Sequence, residues 1–123
     1  DISDDMVDFI NKALMIFNVK GFARSTDVVE SIPDLGKSVD VAFILKTIPC
    51  LEQIEKNAGA RLLEVVRARN LIVSFPVHSL SGKRKGMLVT YENRFNDLVS
   101  GKSWPIQRFE FPTELVFLVK KEP

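Results

Sequence analysis

From Asp4 to Phe17 the apolar residues Met6, Val7, Ile10, Leu14 and Phe17 recur every three or four positions, the spacing that lines one face of an α-helix. Ser3 or Asp4 can cap its start, and Gly21 closes it on the far side. Phe22 to Ser25 reads as a short strand, followed by a polar stretch holding Pro33 and Gly36. At Val39 the period changes. Val39 to Leu45 (Val-Asp-Val-Ala-Phe-Ile-Leu) is an almost unbroken apolar run of β-favouring residues, the pattern of a strand buried on both faces in a parallel sheet. Asp40 interrupts it only near its start, where the strand is still at the rim of the sheet.

Pro49 then opens a helical region in two parts, Leu51 to Ile54 and the cluster Leu62, Leu63, Val65 and Val66, with Gly59 dividing or bending it. Asn70 to Phe75 reads as a second buried strand that stops at Pro76. Gly86 to Val99 reads as the next helix, ended by Gly101. Trp104 to Phe111 and Leu115 to Val119 pattern as two antiparallel strands joined through Pro112-Thr113-Glu114. Strands alternating with helices predict an α/β fold with a parallel sheet, and the closing hairpin adds an antiparallel edge. No internal repeat or low-complexity tract interrupts this order.

Composition narrows the picture. At 123 residues, 46% hydrophobic and 27% charged, the chain is a single domain over residues 1–123, able to bury a core. Seventeen basic residues against sixteen acidic leave a net charge of +1, so global charge selects no partner and any nucleic-acid signal must be local. That local signal is the loop after the second buried strand, with Lys83-Arg84-Lys85 between Gly82 and Gly86. Cys50 and His78 are the sole cysteine and histidine, too few for a disulfide framework or a structural zinc site. Neither has an evident partner for a Ser-His-Asp or Cys-His hydrolase. No metal is expected, nor a membrane, since no apolar stretch approaches the ~20 residues that span one. A reducing, cytoplasmic setting fits this composition.

Local words carry more. Phe43-Ile44-Leu45-Lys46-Thr47-Ile48-Pro49-Cys50-Leu51-Glu52, Ser74-Phe75-Pro76, Ser79-Leu80-Ser81-Gly82, Lys85-Gly86-Met87, Tyr91 and Glu114-Leu115-Val116 follow one another in a single order. Together they resemble the aminoglycoside-resistance 16S rRNA (guanine-N7) methyltransferases of the Arm/Rmt type, over nearly the whole chain. The resemblance implies a partial Rossmann-like class I methyltransferase sheet, mostly parallel with a C-terminal antiparallel hairpin and its first two strands missing. It implies an enzyme that moves a methyl group from S-adenosylmethionine to guanine N7 in the decoding site of the 30S ribosomal subunit. Asp1 and Ile2 would lie at the ribose, Asp27 and Val28 at the adenine, and Leu45 and Glu52 in the same cofactor pocket. Lys46, His78, Lys83, Arg84 and Lys85 would face the 16S rRNA. The chemistry needs no catalytic acid or base, because N7 already offers a lone pair and alignment is the main task.

The sequence departs from that pattern twice. The family's first strand and glycine-rich cofactor loop precede the residue matched by Asp1, so this chain by itself is expected to bind the cofactor weakly or not at all, to transfer no methyl group and to expose the edge of Val39–Leu45. His78 stands where the family carries arginine or lysine, and an imidazole of ordinary pKa, about 6.5, is mostly neutral at pH 7 and a weaker phosphate contact. The residues also admit plainer readings. Asp27 suits a turn cap, Glu52 a solvated helix surface, Lys46 a snorkelling strand end, and Lys83 to Lys85 a solvated loop. Tyr91 and Phe95, four apart, suit core packing, and Cys50 suits a buried or half-buried apolar position. The rival function is a non-enzymatic RNA-binding or interaction module that keeps the fold without a working cofactor site.

Overall fold

The computed structural model describes residues 3–32, 36–77 and 84–121. The chain forms two compact units, Asp1–Asp34 and Leu35–Pro123.

The first unit is built on helix α1 (Asp4–Ile16). Ser3 caps it, its hydroxyl accepting from the Met6 N–H at 3.3 Å, and Asp4 and Asp5 place negative charge at the positive end of the helix dipole. The helix stops earlier than Gly21. Asn18 takes the left-handed turn (φ 53°), a conformation asparagine tolerates better than most residues. Of the expected apolar face only Val7 is buried; Met6 and Phe17 are exposed. Phe22 to Ser25 is not a strand. The Asn11 side-chain amide donates to the Ala23 carbonyl at 3.0 Å and accepts from the Ala23 N–H at 2.7 Å. A single side chain thus takes the pair of backbone groups that a neighbouring strand would otherwise bind.

The second unit holds a four-stranded sheet in the order β1-β2-β4-β3. Strands β1 (Val39–Leu45) and β2 (Ala68–Pro76) are parallel, and β3 (Ile106–Glu110) and β4 (Glu114–Lys120) form the expected antiparallel hairpin. β4 also runs antiparallel to β2, pairing Ser74 with Val116 and Pro76 with Glu114. One face of the sheet carries Ile44, Leu71, Val73, Phe75, Leu115, Phe117 and Val119, all buried. Against it packs α4 (Arg84–Leu98), whose Phe95 ring stacks on Phe117 with centroids 3.9 Å apart while Tyr91 stacks on Phe75 at 5.2 Å. Tyr91 and Phe95 are core residues. The alternation along β1 turns Val41, Phe43 and Leu45 away from this core, and they are 43, 64 and 52% exposed. The run expected to be buried on both faces is therefore an edge strand with one open face. Hydropathy reports the wish to be covered, whereas covering takes a layer on each side.

The helical region after β1 divides as the glycine suggested, but the break comes first. α2 (Ile48–Ile54) ends at Glu55 and α3 (Ala58–Val65) starts with Gly59 already inside it. Gly59 allows the close approach of the two helices: a Cβ there would lie 2.9 Å from Ile48 Cγ2 and 3.2 Å from Glu52 Oε2. The C-terminus of α3 is capped by a side chain 55 or more residues away. Lys121 Nζ donates to the carbonyls of Leu63, Glu64 and Val66 at 2.8, 3.0 and 2.7 Å, the end of the helix where a cation is favoured.

Candidate functional site

Because β1 and β2 are parallel, their C-terminal ends meet at one edge of the sheet, where open α/β folds bind ligands. β4 begins at the same edge with Glu114, delivered by the short link from β3. The first residue beyond β1 is Lys46, and its backbone is left-handed (φ 54°), which costs a residue with a Cβ about 1–2 kcal/mol. The turn is held open to that conformation by hydrogen bonds. The Lys46 N–H donates to both the carbonyl and the hydroxyl of Ser74, at 3.0 and 3.1 Å, and Thr47 Oγ1 donates to the Leu45 carbonyl at 2.9 Å.

Ser74 is the one buried polar residue among those described, 1% exposed. Its hydroxyl also donates to Glu114 Oε1 at 3.4 Å, and Lys46 Nζ lies 3.6 Å from that same oxygen. Ser74 and Lys46, from two strand ends, thus share one carboxylate oxygen at the start of a third strand. The side chains of Lys46 and Glu114 are 55 and 32% exposed, so the ammonium remains accessible and the ion pair adds little to stability.

The hairpin link is fastened from the other side. The Val77 N–H donates to the Thr113 carbonyl at 3.1 Å. Arg84 Nε donates to the Pro112 carbonyl at 3.1 Å and its Nη2 to the Phe111 carbonyl at 2.9 Å, which ties the start of α4 to the link. Lys85 beside it is exposed. Gly86, Met87, Thr90 and Tyr91 line an open groove of about 420 Å³ along the same helix.

The remaining expected residues are scattered. Leu45 stands half-exposed at the end of β1 beside Lys46. Glu52 faces α4, where both its oxygens accept from Arg94, and the second Arg94 nitrogen also donates to the Lys56 carbonyl at 3.4 Å. Hydrogen bonding to Glu52 drives the Arg94 pKa above its ordinary value against the opposing effect of burial. As it stands the Glu52 carboxylate joins α2 to α4. Asp27 lies in the first unit in a turn, with Oδ1 accepting from the Val29 N–H at 3.0 Å and its carbonyl from the Ser31 N–H at 3.2 Å; Val28 follows it. Asp1, Ile2, His78 and Lys83 lie outside the described residues. Cys50, read as at least half-buried, is exposed. No group of three or more metal-ligating side chains occurs among the described residues. Sequence reasoning gave Ser74 and Glu114 no role. The available signals were a hydroxyl in an otherwise apolar strand end and a carboxylate at the entry of the last strand.

A family model described as ribosomal RNA methyltransferase (FmrO) matches residues 1–118. The chain belongs to this family. The 16S rRNA (guanine(1405)-N(7))-methyltransferase of Micromonospora rosea is 34% identical over 122 residues, 98% of this chain and 43% of the relative. The enzyme of the same description from Proteus mirabilis is 28% identical over 123 residues, again 98% of this chain and 43% of its own. The crystal structure of the 16S rRNA methyltransferase RmtF in complex with S-adenosyl-L-homocysteine superposes with a TM-score of 0.82 at 30% identity, over 93% of this chain and 43% of that one. The methyltransferase domain of a bacterial Hen1 protein shares the fold alone, with a TM-score of 0.73 at 13% identity over 98% of this chain and 75% of that one. The FmrO-family chain thus has an α/β methyltransferase fold and spans less than half the length of the two 16S rRNA methyltransferase relatives named above.

Proposed function

We propose that this chain is the target-facing part of an enzyme that methylates guanine N7 of 16S rRNA in the 30S subunit, in the cytoplasm, with S-adenosylmethionine as donor. The observation that carries the reading is the strand-end lysine, Lys46, locked in a left-handed turn with its ammonium exposed. Backbone strain of this kind persists only where the surrounding structure over-determines it, and it gathers at functional sites. The family relationship over nearly the whole chain supports the chemistry.

When bound, S-adenosylmethionine supplies a methyl group on a positively charged sulfur, and guanine N7 presents a lone pair with no proton to remove. The chain's residues then have to place RNA rather than move protons. Leu45, half-exposed at the parallel strand ends, fits an apolar contact to the donor, and Asp27 and Val28 keep the adenine roles the resemblance implies for them. Asp1 and Ile2 keep the ribose end. Glu52, with both oxygens on Arg94, holds α2 against α4 and acts on the pocket through that placement. A cation directly at N7 would compete for the lone pair, so Lys46 suits a phosphate or the neighbouring O6. Of the basic run, Arg84 and Lys85 form the first turn of α4, which starts two residues before Gly86, rather than lying in a loop; exposed Lys85 is a phosphate contact in its own right, whereas Arg84 already serves two carbonyls of the hairpin link. His78 and Lys83 are proposed as further RNA contacts on the resemblance alone.

The test is transfer of tritiated methyl to 30S subunits by the complete natural polypeptide carrying this chain, with N7-methylguanosine located by borohydride and aniline cleavage. Label in the decoding site is expected, reduced roughly tenfold or more by Lys46→Ala. No label with retained RNA binding would instead favour a non-enzymatic RNA-binding module.

A further inference from the structure

We infer that Glu114 is a positioning residue for Lys46, and that the terminal hairpin thereby sets where the target nucleotide is held. The inference rests on the proposed methyl transfer to RNA and adds to it a residue with no assigned part. The geometry points one way. Glu114 opens β4, and its Oε1 meets both the buried Ser74 hydroxyl, at 3.4 Å, and the Lys46 ammonium, at 3.6 Å. Ser74 in turn accepts the Lys46 backbone N–H. The lysine is therefore held at both ends by one connected set of groups, its backbone by Ser74 and its ammonium by Glu114.

Charge makes the arrangement informative. A carboxylate beside an RNA-facing surface repels phosphate, so nonspecific binding is better without it. Stability does not explain it either, since an ion pair this exposed contributes little. What the carboxylate supplies is direction. A lysine ammonium on four methylenes sweeps a wide arc, and an anchor at one side confines it to the part of that arc above the strand ends. The anchor itself is fixed: Ser74 binds it from below, and the hairpin link that carries Glu114 is fastened to α4 by Arg84 and to the strand after Pro76 by the Val77 N–H.

The experiment compares Glu114→Gln, Lys46→Ala and the double variant in the complete natural polypeptide, measuring methyl transfer to 30S subunits and affinity for a 16S rRNA fragment. Glutamine keeps an acceptor for Ser74 and removes the charge that holds Lys46. Positioning predicts a split: kcat falls roughly tenfold while RNA binds as tightly as before or more so. It also predicts that Glu114→Gln costs no further activity once Lys46 is alanine, because nothing remains to be positioned. Melting temperatures within a degree or two of wild type would show that the fold survives. The proposal is overturned if Glu114→Gln leaves kcat unchanged, if kcat and RNA binding fall together, or if the loss persists in full beside Lys46→Ala. A wild-type protein that labels no 30S subunits overturns the methyl-transfer reading and this inference with it, whereas active wild type with an indifferent Glu114→Gln overturns this inference alone.

Discussion

Ser74 shows how a single hydroxyl can organise a strand end. It sits in a run of buried apolar residues, accepts the N–H of a strained lysine and donates to a carboxylate 40 residues away in sequence. Ser74→Ala leaves the Lys46 N–H only the Ser74 carbonyl, and removes the donor to Glu114. Loss of about 1 kcal/mol is expected, read as a lower urea midpoint at unchanged slope. An unchanged midpoint would mean that the hydroxyl holds nothing the backbone does not already hold. In the sequence Ser74 was legible only as part of a word shared with relatives, because its partners are distant along the chain. Lys46 stood out for another reason, as a lone charge directly after a long apolar run. Its left-handed backbone could not be read, since nothing about lysine favours that conformation.

Among the elements, α2 and α3 carry the closest fit. A Cβ on Gly59 would lie inside van der Waals contact with Ile48, itself fully buried, and near the Glu52 carboxylate that pairs with Arg94. Alanine is the better helix former by about 1 kcal/mol, but the overlap costs more, so Gly59→Ala is expected to destabilise by about 1–2 kcal/mol net. Arg94→Met should cost a similar amount by leaving the mostly buried Glu52 side chain without its partner. Combined with Glu52→Gln it should cost less than the two single changes summed, and chemical denaturation of all three variants checks this. The start and approximate length of the helices and of the hairpin were legible because apolar spacing and proline positions are local properties. The strand expected at Phe22 to Ser25 was not formed. β propensity says that a segment suits a sheet, and only a neighbour makes it a strand; here Asn11 takes the backbone groups of Ala23 instead.

At the scale of the molecule, the decisive feature is the open side of β1. Val41, Phe43 and Leu45 form an exposed apolar row along a strand at the edge of the sheet. Long, apolar, unpaired edges recruit other strands, so the chain is expected to associate reversibly as its concentration rises. Phe43→Lys should raise the concentration at which sedimentation first shows oligomers while leaving the thermal midpoint within a few degrees, because Phe43 contributes little burial. Oligomers unaffected by this change would place the association elsewhere. The same row ends in Leu45 beside Lys46, so the open face and the proposed target site share an edge.

The sequence by itself determined the α/β class, the succession of helices and strands in the second unit, the terminal hairpin and the family, all of which rest on local spacing and on words read in order. Tertiary structure alone decided that one face of β1 is open, that Arg84 holds the hairpin link, that Glu52 pairs with Arg94, and that Lys46, Ser74 and Glu114 meet at one oxygen. The reason is distance along the chain. Contacts between residues 27 or more positions apart leave no periodicity to read, and they form only when the pairing register of the sheet brings separate strand ends to the same edge.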